Sequence, residues 1–247
     1  MNRYLKLTGV LLFTVIGLMA SGCGESVTES EEGTTPTEST GEAEIRFIHS
    51  AASTSEIDIY YLDLNNDIFE GIISNAEYGK QYGYYNFNSG TRSFEVYLAG
   101  TNLTGATVTD EFEDEGKYCV IATDFDATLN PSLIVFPDTT DAPPIGSAFL
   151  RFIHASADAP DINILGGDDT PILESLSLYQ TSVYVELDAG TYVYRAVSSD
   201  TGIDLPRLDA ITLLSGVSYT AILSGSVNGL PGPGFNLKMY PETSIEE

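Results

Sequence analysis

The stretch Arg46-Phe47-Ile48-His49 returns 105 residues later as Arg151-Phe152-Ile153-His154, and these two copies hold both histidines of the chain. After each copy a polar turn of seven residues leads into an alternating run, Ile57-Asp58-Ile59-Tyr60 in the first and Ile162-Asn163-Ile164-Leu165 in the second. Three more landmarks recur in the same order. Phe87-Asn88-Ser89-Gly90-Thr91 answers Leu187-Asp188-Ala189-Gly190-Thr191. Gly116-Lys117-Tyr118-Cys119-Val120 answers Gly216-Val217-Ser218-Tyr219-Thr220 with one residue of slippage. Each copy then closes on an aromatic residue, a proline and an acid: Phe136-Pro137-Asp138 and Tyr240-Pro241-Glu242. A chain that repeats itself at this spacing is built from two like modules. They span residues 43–138 and 147–242, with residues 139–146 (containing Pro143-Pro144) as a short stiff linker and 243–247 as a tail.

Within each module, short runs alternate with period two and are broken by Gly, Asn, Asp, Ser and Pro. Residues 92–98, 117–122, 183–187, 192–197 and 218–223 all read this way, and such alternation turns one face of a strand inward. The Asn-Ser-Gly and Asp-Ala-Gly sites suit tight hairpins, because glycine accepts positive φ. With 15 Tyr, 11 Phe and many β-branched residues, the composition favours strands. About seven strands in about 96 residues is the rhythm of an immunoglobulin-like β-sandwich. The predicted fold class is all-β, two tandem sandwiches of that kind. Alternation also places Ile45, Phe47 and His49 on one face, and would align Leu150, Phe152 and His154 with them only after a register shift of one residue.

The N-terminus reads as an address followed by an anchor. Arg3 and Lys6 precede an apolar run over residues 7–19, then Ala20-Ser21-Gly22 and Cys23. That layout is a secretory signal, too short for a spanning helix of about 20 residues. Small residues directly before a cysteine resemble the lipobox of bacterial lipoproteins, although Ala20 stands where Leu is most usual. The resemblance implies a signal peptide at 1–22, removed so that Cys23 becomes the lipid-attachment residue. Two or three acyl chains there, each buried methylene contributing about 0.8 kcal/mol, would hold the protein on a membrane. Gly24 is not the aspartate associated with retention at the inner membrane, so the outer membrane is the expected address. Residues 23–42 are almost devoid of apolar side chains and read as a disordered acidic tether. About 20 residues of flexible coil span roughly 25 Å.

Thirty-six acidic residues against ten basic give a formal charge of −26. Such a surface repels phosphate backbones, which excludes nucleic acid as a natural partner. The sequence calls for no cofactor and shows no Walker loop, dinucleotide fingerprint or Gly-x-Ser-x-Gly elbow. No metal-ligand spacing surrounds either histidine.

Residues 151–164, Arg-Phe-Ile-His-Ala-Ser-Ala-Asp-Ala-Pro-Asp-Ile-Asn-Ile, resemble the opening signature of the bacterial domain-of-unknown-function 4397 family. The runs Leu187-Asp188-Ala189-Gly190-Thr191-Tyr192 and Gly216-Val217-Ser218-Tyr219-Thr220 match it as well. The resemblance covers both modules but weakens in the first, where Ser53 and Ser55 replace the equivalents of Asp158 and Pro160. It implies an envelope β-sandwich domain and no particular reaction.

Against this background His49 and His154 are read as imidazoles at a strand end, bonding into the following turn; the competing reading is a general base in an envelope hydrolase. Asp63-Leu64-Asn65-Asn66-Asp67 starts like a calcium loop but has Ile68 and Ser74 where that loop needs Gly and Glu. Residues 110–115, 124–126 and 166–169 are looser acidic clusters. Tyr78, Tyr82, Tyr84, Tyr85 and Phe87 could offer stacking faces, with Tyr82 and Tyr84 on one side of their strand and Tyr85 and Phe87 on the other. Cys119 reads as a small buried hydrophobe. The expected function is a non-enzymatic envelope lipoprotein whose modules bind or space something, its partners being the membrane and an envelope protein or glycan. The alternatives are a hydrolase using His49 and His154, or a calcium- or glycan-binding surface protein.

Overall fold

The computed structural model describes residues 41–242 apart from 55, 64–67, 102, 126–129, 139–140 and 230–231. The signal peptide, Cys23, nearly all of the tether, part of the candidate calcium loop and the tail fall outside these. Among the described residues there are strands and turns and no helix. The first repeat forms two four-stranded sheets. One has the order β4 (Gln81–Asn88), β1 (Glu42–His49), β7 (Lys117–Phe125), β8 (Asn130–Pro137). The other has the order β3 (Ile68–Glu77), β2 (Glu56–Asp63), β5 (Gly90–Leu98), β6 (Thr104–Phe112). Strands β1 and β7 run parallel, and the remaining pairs are antiparallel.

The second repeat follows the same plan. Its first sheet has the order β12 (Val185–Asp188), β9 (Ser147–His154), β16 (Ser218–Ser224), β17 (Asn236–Pro241), with β9 and β16 again parallel. The opposing sheet is divided into β11 (Pro171–Leu176), β10 (Ile162–Gly166), β14 (Tyr194–Ser198) and a separate pair, β13 (Gly190–Tyr192) with β15 (Ile211–Leu213). The run 192–197, read from sequence as one strand, breaks at Val193. Where β5 and β6 pair along their length, β13 and β15 pair over three residues only. Among the described residues the second repeat, with this break, has nine strands and the first has eight, rather than about seven in each.

Both sandwiches close as alternation predicts. Along β2, Ile57, Ile59, Tyr61 and Asp63 point inward and the residues between them are more exposed. The first core collects Ile45, Phe47, Phe94, Phe112 and Val120 from both sheets, and the second collects Leu150, Phe152, Ile162, Tyr194 and Leu223. No register shift separates the copies: Leu150, Phe152 and His154 occupy the same alternate positions as Ile45, Phe47 and His49.

Four central strands depart from alternation. From Ile45 to His49, from Leu150 to His154 and from Tyr118 to Asp124 of β7 every residue is buried, and so is all of β16. The cause is a second interface. The outer face of the β1 sheet packs on the outer face of the β9 sheet, and Ile48, Cys119, Ile121, Ile153, Ala155, Ile222 and Tyr240 form a third apolar cluster between them. Strands covered on both faces become continuously apolar, as Tyr118-Cys119-Val120-Ile121-Ala122 is. The described residues 41–242 therefore form one compact unit.

Each fully buried isoleucine of this shared layer contributes about 1.5–3 kcal/mol. Ile121→Ala should destabilise by about 2–5 kcal/mol and keep a single denaturant transition when tyrosine fluorescence and far-ultraviolet dichroism are followed together. Two separated transitions in the unsubstituted protein would show that the repeats unfold independently.

Candidate functional site

His49 and His154 end their strands with no side-chain exposure. The backbone N–H of Ala51 donates to His49 Nδ1 at 3.3 Å, and that of Ser156 donates to His154 Nδ1 at 3.2 Å. A ring nitrogen that accepts is unprotonated, so Nε2 carries the hydrogen in the neutral form. In the second copy Nε2 lies 3.0 Å from the Pro160 carbonyl, to which it donates. Burial holds both imidazoles below the ordinary range, His49 at about 4. These are neutral rings pinned to the turn after the strand.

The turn itself explains how the first copy departs from the signature. In the second copy Asp158 accepts the Ser226 hydroxyl at 2.7 Å and the N–H groups of Val227 and Asn228 at 2.9 Å. Burial acts to raise its pKa, but these bonds, that from Ser226 foremost, hold it below the usual carboxylate range. In the first copy Ser53 stands there and the carboxylate comes from the opposite strand. Asp124 accepts the N–H groups of Ala52 at 2.8 Å and Ser53 at 3.1 Å, and the Ser53 hydroxyl. Parallel pairing sets Cys119 beside Arg46 and Thr220 beside Arg151, so Asp124 is the counterpart of Gly225. A Cβ at Gly225 would sit 2.3 Å from the Gly234 carbonyl oxygen. The acid can therefore occupy this position only in the first copy.

The repeated arginines meet at the centre of the shared layer, where Arg46 and Arg151 are 0% and 2% exposed. Arg46 grips Asp138 through Nε at 2.6 Å and Nη2 at 3.1 Å. Its Nη1 reaches Gln81 Oε1 at 2.9 Å and the Pro241 carbonyl at 3.3 Å. Arg151 donates to the Pro137 carbonyl at 2.6 Å and, through Nη2, to Asp138. Each arginine thus reaches the aromatic-proline-acid closure of the other repeat. Thr220 Oγ1 accepts from Arg46 at 2.8 Å and Arg151 at 2.9 Å and donates to Glu242 at 2.6 Å. Glu242 lies 3.4 Å from Arg46 and 3.6 Å from Arg151. Tyr84 donates to Asp138 at 2.6 Å and Tyr184 to Glu242 at 2.9 Å, each ring lying against the guanidinium of its own repeat. Two cations and two anions balance. Although burial opposes ionisation of Asp138, Arg46 and then Arg151 keep its pKa below the ordinary value. Beside this node burial pushes the Cys119 thiol up to about 12, leaving it an inert part of the layer.

The aromatic run divides differently from the predicted faces. A bulge shifts the β1–β4 register between Ile45 and Phe47, so Tyr82 and Phe87 both pack on the first core while Tyr84 enters the node. Tyr78 crosses to the other repeat, within 3.1 Å of Ser224 Oγ. Of the acidic clusters, Asp124 is taken up by the turn, Asp168 accepts from the Thr170 N–H, and Asp169 pairs with Arg195. Among the described residues no group of three or more His, Cys, Asp or Glu is placed to hold a metal ion; residues 64–67 and 126 lie outside them.

An aromatic group absent from the sequence reading lies on the outer face of the β2 sheet. Tyr60 of β2, Phe69 of β3 and Tyr97 of β5 meet there, with the Tyr60 and Phe69 rings stacked at 4.7 Å and 5°. Tyr97 stands edge-on, 5.1 Å from Tyr60 and 6.1 Å from Phe69. The strict alternation of β2 already turns Tyr60 outward; nothing local singles out Phe69. In the second repeat, the gap between β14 and residues 204–208 leaves a cleft of about 390 Å³. Arg195 in its wall is paired with Asp204 at 2.7 Å and with Asp169.

Removing the shared counter-ion by Asp138→Ala should cost about 3–5 kcal/mol in denaturant unfolding, because both guanidiniums stay buried. The histidines predict a pH dependence with a definite sign. The unfolded imidazole takes up a proton near its ordinary 6.5 and folded His49 only near 4, so stability is complete above that window and is lost as pH falls through it. The loss assigned to His49 is on the order of 3 kcal/mol. His49→Gln should flatten this part of the stability–pH curve between pH 7 and 4, and an unchanged slope would contradict the buried neutral ring.

No curated protein matches the chain in sequence. Among solved structures it is similar to a carbohydrate-binding module of family CBM26 from Eubacterium rectale Amy13K in complex with maltoheptaose, at 14% identity and a TM-score of 0.23, over 83% of this chain and 98% of that one. It is similar also to a candidate cell adhesion protein from Bacteroides ovatus at 10% identity and a TM-score of 0.25, again over 83% and 98%. The Bacillus anthracis TIE protein matches at 10% identity and a TM-score of 0.23, over 76% of this chain and 33% of that one. Likenesses this faint carry no function across. The profile described as domain of unknown function (DUF4397) matches residues 43–165, the whole first repeat and the second as far as β10, and this part of the chain belongs to that family.

Proposed function

We propose that this protein is a non-enzymatic binding and spacing unit of a bacterial cell envelope, held to a membrane by lipid on Cys23. The observation that carries the reading is the fate of the repeated motif. Both arginines and both histidines are buried and bonded within the scaffold, so the most reactive side chains of the signature hold shape. Two sandwiches locked face to face then work as one stiff body, and recognition falls to the outer faces. Cys23 lies outside the described residues; its support is the signal-like run and the small residues before it. Several acyl chains on one residue give an anchor that a single chain does not, and an acidic tether sets the body off the headgroups by roughly 25 Å. Gly24 favours the outer membrane in a cell that has one.

Metabolic labelling with palmitate tests the anchor. The full chain should take up label and sediment with membranes, while Cys23→Ser should lose the label and appear in the soluble fraction. Label retained by Cys23→Ser would overturn the assignment.

A further inference from the structure

The outer face of the β2 sheet carries a group that the first core does not require. Phe69 is 55% exposed although it is a large apolar side chain on a chain with 36 acidic residues. Tyr60 packs over Gly71, its partner on β3: a Cβ at Gly71 would sit 3.3 Å from Tyr60 Cε1 and 3.8 Å from Cζ. The glycine gives the ring a bed, and Phe69 stacks parallel to it. Cross-strand aromatic pairs do stabilise sheets, by about 0.2–1 kcal/mol. That role accounts for Tyr60 and Tyr97 more readily than for the exposure of Phe69.

The second repeat shows that the scaffold can do without this group. The position paired with Asn163 as Tyr97 is with Asp58 is Val197, which is 6% exposed and bridged to Asp204 of the following loop; the counterpart of Tyr60 is Leu165. Tyr60 pairs with Gly71 and Leu165 with Pro171, so the counterpart of Phe69 is Asp169, and the three rings belong to the first copy alone.

Their arrangement restricts the ligand. Centroids 4.7, 5.1 and 6.1 Å apart are in mutual contact, which leaves no cage for a cation between faces. A ligand must lie on top and be flat. Two carboxylates border the rings. Glu95 on β5 is oriented by the Tyr97 hydroxyl at 2.7 Å and by Thr107 at 3.2 Å. Asp58, beside Tyr97, is oriented by the Asn75 N–H at 2.7 Å. An ionised carboxylate keeps further lone pairs after one or two such bonds. Oriented acceptors beside an aromatic surface call for hydroxyl donors, and the charge of −26 disfavours an anion. Accepting the reading of this protein as a binding unit, we propose that Tyr60, Phe69 and Tyr97 form a platform for a neutral glycan. Pyranose C–H faces would rest on the rings and hydroxyls would donate to Glu95 and Asp58.

Native affinity electrophoresis through gels containing dissolved soluble starch, mixed-linkage β-glucan or mannan tests this, with polygalacturonate as the anionic comparison. At least one neutral polysaccharide should retard the full chain. Phe69→Ala should weaken that retardation at least tenfold with little change in melting temperature, and Leu214→Ala, exposed on the other repeat, should not. No retardation by any of the three, or retardation that Phe69→Ala leaves intact, would overturn the platform. A photo-crosslinker at position 69 in the native cell separates the ways to fail. Glycosidase-sensitive adducts support the glycan. A glycosidase-resistant protein adduct overturns the ligand class while leaving the binding reading in place, and no adduct together with no retardation removes both.

Discussion

Two guanidiniums taken out of water side by side set the terms for the rest of the molecule. The effective penalty for burying an unpaired ion is several kcal/mol, so Arg46 and Arg151 can occupy the shared layer only if equal negative charge arrives with them. Asp138 and Glu242 supply it from the last turn of each repeat, and Thr220 links the two halves of the network. The apolar layer of Ile48, Ile121, Ile153 and Ile222 supplies attraction but little direction, because flat aliphatic faces slide over one another. The ion node fixes the register. One step along either strand would strand a charge, and the reciprocal bonds to the Pro137 and Pro241 carbonyls would be lost. We read the aromatic-proline-acid closure as the part of the repeat that makes the pairing specific.

Much of this was legible in the chain. The repeat and its landmarks foretold two sandwiches of common plan, and alternation in β2 and β5 foretold which residues form the cores. What alternation cannot reveal is a second covered face. Arg46 reads as the solvent-facing neighbour of Phe47 until the other repeat is placed against it. The cue was present in Tyr118-Cys119-Val120-Ile121-Ala122, whose unbroken apolar character suits a strand buried on both sides. The aromatic faces of β4 were lost to one bulged residue, which reverses every side chain beyond it. The exchange of Asp158 for Asp124 depends on contacts about 70 residues apart, and no local pattern announces it.

The two turns facing each repeat's partner show the same economy of means with unequal strain. Gly79 and Tyr179 hold equivalent places, their N–H groups bonding to the carbonyls of His49 and His154, and both have positive φ, 76° and 61°. Glycine adopts this region freely, whereas a tyrosine there costs of order 1–3 kcal/mol. The second copy keeps the tyrosine because its hydroxyl donates to the Asp124 carbonyl across the interface. A locally unfavourable residue is retained for a contact that exists only when both repeats are present.

Duplication gives a way to separate scaffold from function inside a single sequence. Features found in both copies, the paired arginines, the turn-bonding imidazoles, the parallel central strands and the closing acids, are explained by the need to close and join two sandwiches. A feature found in one copy must be judged singly: Tyr179 still serves to join the repeats, whereas the outer sheets differ without touching the junction. The second repeat interrupts its outer sheet at Val193 and covers Val197 with the loop that follows. The first completes the same sheet and lays Tyr60, Phe69 and Tyr97 across it. Had the aromatic group been needed to hold a sandwich of this plan together, its loss from the second copy should have left a defect in that core. Leu150, Phe152, Ile162, Ile164 and Leu223 are nonetheless fully buried there. The outer face of the first repeat is accordingly where selection has had room to act on something other than folding.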